Sequence, residues 1–124
     1  MSSNKVEFSR AVELRDQGKP QDALAILHVL SQKPDATAAV FGVMGSLLWE
    51  TESADSAIPS FQRATALSPH SEVASLGLFH TLFESGRTDD AFDEMRRFLK
   101  FAESEEYQSI LDGLSSDQSR GGPG

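Results

Sequence analysis

Alanine returns at a fixed interval along this chain: Ala23, Ala57 and Ala91 are each thirty-four residues apart. Leu14, Leu48 and Leu82 keep the same interval, as do the columns Leu27, Phe61, Met95 and Leu30, Ala64, Phe98. Gly18 and Gly86 lie two intervals apart, with Glu52 between them. A repeat this short cannot bury its own apolar face, so it is stable only when stacked on similar units. The chain is therefore expected to fold as a short array of repeats.

Within one interval the apolar spacing is helical. Phe41, Met44, Gly45 and Leu48 fall at i, i+3, i+4 and i+7, and Ala57, Phe61 and Ala64 form a second stripe. Polar turns separate the two stripes at Gly18-Lys19-Pro20, Thr51-Glu52-Ser53 and Gly86-Arg87-Thr88. Pro20 suits a first helical turn, where no N–H is needed, and Ser53 or Asp55, and Thr88, are expected N-caps. Ala23, Ala57 and Ala91 end at Cβ, which lets paired helices approach closely. Pro34 and Pro69 then turn the chain into the next hairpin. Pro59 falls inside a predicted helix, so a local distortion is expected there.

These residues together resemble the tetratricopeptide repeat: Gly45 and Leu48 in the first helix, Ala57, Phe61 and Ala64 in the second, and Pro69 closing. The chain is similar to small, three-repeat, bacterial-type members of that family. The likeness is strongest over residues 38–71; the first repeat has Ala11 where the family favours glycine, and the third has Phe79. It implies an all-α, right-handed α-solenoid of three antiparallel helix-turn-helix repeats, at about 4–37, 38–71 and 72–105. A capping helix is expected over about 104–114, started by Ser104 and presenting Tyr107, Ile110, Leu111 and Leu114 on one face. The domain thus spans 4–114, and the Ser/Gly-rich segment 115–124 reads as a disordered tail.

Composition narrows the function. Nineteen acidic residues against eleven Lys and Arg give a net charge of -8, which repels nucleic acid and anionic lipid. The basic cluster Arg96, Arg97 and Lys100 lies among Asp93, Glu94 and Glu103 and reads as a solvated helix face. No cysteine is present, which removes disulfides, thiolate nucleophiles and Cys-ligated zinc. Residues 1–10 show no basic segment followed by an apolar run, and no apolar stretch approaches the ~20 residues of a membrane span. The expected setting is cytoplasmic.

No catalytic constellation emerges. His28, His70 and His80 lack metal-ligand spacing, and no phosphate loop, nucleophile elbow or HExxH is present. No cofactor, no metal and no enzymatic activity are expected. The resemblance implies instead that the first helices line a concave face. By spacing, its residues are Phe8, Val12 and Arg15, then Gly42, Ser46 and Trp49, then Leu76, His80 and Phe83. This face is apolar for solvent-facing positions, which suits a protein or peptide partner, and the acidic surround favours a basic one. The aromatic residues serve either as core or as binding anchors. Family members that clamp a C-terminal carboxylate carry lysine, asparagine and arginine where this chain has Phe8, Val12, Val43, Val73 and Gly77, so that ligand is not expected. An immunity protein or antitoxin covering a basic toxin, and a secretion chaperone, are the alternative readings. An apolar strip is also compatible with a homodimer.

Overall fold

A computed structural model describes residues 2–120. Its helices are α1 (Ser2–Asp16), α2 (Pro20–Ser31), α3 (Ala38–Thr51), α4 (Ala54–Leu67), α5 (Glu72–Glu84), α6 (Thr88–Leu99) and α7 (Glu105–Arg120), with no strand among the described residues. Helices α1–α2, α3–α4 and α5–α6 pair as hairpins, and α2 and α4 pack on the hairpins that follow them. The first helices also meet one another, α1 with α3 and α3 with α5. This is the three-hairpin solenoid expected from the interval.

The repeating columns form the core. Ala23, Ala57 and Ala91 are all fully buried, as are Leu27, Phe61 and Met95 to within 3% and Leu30, Ala64 and Phe98 to within 4%. Each large apolar side chain removed from water in this way contributes about 1.5–3 kcal/mol. The leucine column is less regular, since Leu82 is buried while Leu14 and Leu48 are half-buried.

Short polar residues set the helix starts. Thr37, Ser53, Ser71 and Ser104 accept from the backbone N–H of Val40, Ser56, Ala74 and Tyr107. Pro20 opens α2. Thr88 is not a cap: α6 begins one residue earlier than expected, with Arg87 at the cap position and its guanidinium turned to Asp90. Gly18 and Gly86 take φ of 75° and 83°, a left-handed turn closed to most side chains. Glu52, in the same column, keeps a negative φ of -126° and makes a different turn. Helix α4 runs unbroken through Pro59, which is exposed; the missing N–H affects only the Asp55 carbonyl in the first turn.

The middle and third hairpins solve the helix-crossing problem differently. In the middle repeat the Phe61 ring of α4 lies against Gly45 of α3, where a Cβ would be 3.0 Å from the ring, and against Gly77 of α5. In the third, Phe79 takes the glycine position. Its ring meets Phe92 at 5.4 Å and Tyr107 at 5.5 Å, both edge-on, while the thinner Met95 stands in the Phe61 column and is 2% exposed. A large residue on one helix is thus matched by a narrow one on the other.

Helix α7 seals the array. Ser104 is buried at its cap, Tyr107 is fully buried, and Ile110 and Leu111 pack on the third repeat. Superposing its serine cap on that of α5 puts Gln108 and Asp112 where α5 has Ser75 and Phe79, the side that meets α6. In α7 these two bond to each other, Gln108 Nε2 to Asp112 Oδ1 at 3.0 Å. The side that would take another hairpin is polar. The helix continues to Arg120, past the expected end at 114. The segment 115–124 read as a tail thus begins within this helix, and residues 121–124 lie outside the described residues.

Candidate partner-binding surface

The nine residues expected on the inner face do not form one continuous surface. Arg15, Gly42 and Ser46 line one cleft of about 460 Å³ between α1, α3 and α5. Ala39 and Val43 complete its floor and Val73, 80% exposed, forms its far edge. Sequence spacing named Gly42 and Ser46 but not Ala39, which shares their helical face at i-3. Gly42 is half-buried, between the buried Phe41 and the half-buried Val43. A Cβ there would meet nothing within 4 Å, so packing inside the chain does not require glycine. Glycine inside a helix costs about 0.5–1 kcal/mol against alanine, and here it lowers the cleft floor to the backbone.

Phe8 points elsewhere. With Leu30 and Val40 it floors a separate depression of about 390 Å³ at the start of the array. The rim there is polar: Asn4 Nδ2 donates to Asp35 Oδ2 at 3.0 Å and Lys33 Nζ donates to Asn4 Oδ1 at 2.7 Å. Val12 is half-buried on α1 and lines neither cleft.

Trp49, Leu76 and His80 build a wall. The Trp49 ring stacks on His80 at 6.4 Å and meets Phe61 edge-on at 6.5 Å, while its Nε1–H donates to Glu84 Oε2 at 2.9 Å. His80 Nε2 lies 2.8 Å from Glu106 Oε2 of α7, and Leu76 packs against the core. These contacts join α3, α5 and α7. Phe83 stands at the array's end, 48% exposed, stacked on Phe79 at 5.9 Å and edge-on to Phe92 at 6.1 Å.

Charge follows the repeat as well. Asp16, Glu50 and Glu84 stand thirty-four residues apart at the C-terminal ends of α1, α3 and α5. Helix C-termini are already negative, so carboxylates there deepen the field. Among the described residues, Asp16 alone of the three has a cation within salt-bridge reach, Arg15 at 3.1 Å, and α3 and α5 carry no basic residue in the last turn.

A second polar group is structural. Ser75 Oγ lies 2.7 Å from both Glu94 Oε2 and the Tyr107 hydroxyl, and all three residues are buried. Arg97 closes the group with donations to Glu94 Oε1 at 2.8 Å and Oε2 at 2.6 Å, and to the Pro69 carbonyl at 2.9 Å. Burial, above all, pushes the Tyr107 hydroxyl up to about 12. The hydrogen bond to Glu94 holds the Arg97 guanidinium above its ordinary value. Arg97 is therefore not part of a solvated face. The buried Glu94 was legible in one respect: it stands in the column of Ile26 and Ser60, of which Ser60 is buried.

Among the described residues no group of His, Asp and Glu has the arrangement of a metal site, and no helix is long and apolar enough to cross a membrane. The family model of the tetratricopeptide repeat matches residues 48–112. The chain belongs to the tetratricopeptide repeat family, whose repeats serve as non-enzymatic scaffolds for protein–protein interaction. Comparison with curated proteins gives no match.

Proposed function

We propose that this protein is an interaction module that holds a segment of a partner protein in the cleft between α1, α3 and α5. The observation that carries the reading is the cleft floor: Ala39, Gly42, Val43 and Ser46 expose small or apolar surface beside the open Val73. A peptide laid there reaches the α3 backbone at Gly42 and buries Val73, as groove binders do. The carboxylates Asp16, Glu50 and Glu84 favour a basic partner and speed its approach. Anchoring by Trp49 is secondary in this reading, because its ring and N–H already have partners within the chain.

The test is capture of the partner by affinity purification, compared across variants. Gly42→Phe fills the cleft and should abolish capture with helicity unchanged. Phe83→Ala, outside the cleft, should leave capture intact. Undiminished capture by Gly42→Phe would reject the cleft.

A further inference from the structure

The two ends of a solenoid are the places where stacking stops, and terminal units are ordinarily polar on their outer side. Here both ends keep apolar side chains in water. At the first end, Val6 of α1 and Val29 of α2 are 61% and 60% exposed. Val6 shares a shallow depression with Lys5, Arg10 and Glu13, and Val29 shares another with Ile26, Lys33 and Glu7. At the other end Phe83 and Leu114 are 48% and 41% exposed, and Phe92 beside Phe83 is half-buried.

The charge of the chain divides the same way. Residues 1–34 hold five Lys or Arg against four Asp or Glu, while residues 72–120 hold five against eleven. The first end is therefore weakly cationic and the last strongly anionic. Glu84, Asp89 and Asp112, on α5, α6 and α7, are all exposed.

We infer that a second copy of this chain docks head to tail, its α1–α2 face on the α5–α7 end of the first. The first end offers an apolar patch where Lys5, Arg10 and Lys33 outnumber Glu7 and Glu13, and the last offers an apolar patch on an anionic end, so one molecule carries both halves of the contact. The net charge of -8 opposes any self-association at a distance, but at physiological salt charges more than about 8 Å apart are largely screened and the local pairing decides. The contact is heterologous, with different surfaces on its two sides, so it extends from copy to copy.

Sedimentation across a range of protein and salt concentrations tests this. The wild-type mass should rise with concentration and fall back as salt is added. A first-end variant, Lys5→Glu with Arg10→Glu, and a last-end variant, Phe83→Ser with Asp89→Lys, should each weaken association by at least about tenfold. Each alters exposed side chains only, and circular dichroism checks the fold. An equimolar mixture of the two variants retains one good contact, so it should reach the mass of two chains and no more. A monomeric mass throughout, or association sensitive to one variant and not the other, would overturn the proposal.

Discussion

Gly77 lies so close beneath the ring of Phe61 that a Cβ at residue 77 would stand 2.3 Å from Cε1 of that ring. Phe61 is 3% exposed and wedged on its other side by Gly45, so it has no room to retreat. Gly77→Ala should therefore destabilise the protein by about 1–3 kcal/mol, the range for overpacked cores, despite alanine's better helix propensity. The contrast is Gly42→Ala, at an open position on the same kind of helix, which should stabilise by about 0.5–1 kcal/mol. Urea unfolding of the two variants, with equal m-values, measures both signs at once.

Tyr107 links stability to pH. Its hydroxyl is raised to about 12 from 10.0 by burial, so the unfolded chain releases this proton first as the solution becomes alkaline. The stabilising contribution is complete below about pH 10 and is lost as pH rises towards 12. Tyr107→Phe should flatten that part of the stability curve. It should also lower stability at neutral pH by about 1–2 kcal/mol, because Ser75 loses a partner. Chemical unfolding at intervals between neutral and strongly alkaline pH checks both effects.

Removing Arg97 leaves Glu94, 8% exposed, without its guanidinium. Arg97→Met keeps the stem and deletes the charge, and is expected to cost about 1–3 kcal/mol. Glu94→Gln in the same background should recover part of that loss, since the amide needs no counter-charge. A double-mutant cycle by thermal unfolding gives the coupling.

Ser104 caps α7 through the Tyr107 N–H at 3.1 Å. Ser104→Ala should cost about 1 kcal/mol and act locally, loosening α7 before the hairpins. Hydrogen exchange should show faster amides in α7 and unchanged protection in α3 and α4.

The array was legible because its columns are filled by residues whose size is set by the helix crossing: alanine at 23, 57 and 91 fits only where two backbones meet closely, and all three are buried. The inner face was legible only in part. Helical spacing places Gly42, Ser46, Trp49, Phe83 and Phe8 on first helices, but it cannot say which neighbour each one meets. Trp49 meets His80 because the next repeat brings α5 alongside, and Phe8 meets Val40 because α3 begins beside it. Such contacts join residues more than thirty positions apart, beyond any local pattern. The Ser75–Glu94–Tyr107 group was hidden for the same reason, since no single helix holds two of its members.

The bonded pair on α7 bears on how such an array lengthens by gene duplication. A hairpin copied in after α7 would meet an amide and a carboxylate where α3 offers its own partner helix Phe41 and Gly45, and it would lack that buried contact. New units are therefore accommodated upstream of Ser104, with the terminator carried along at the end.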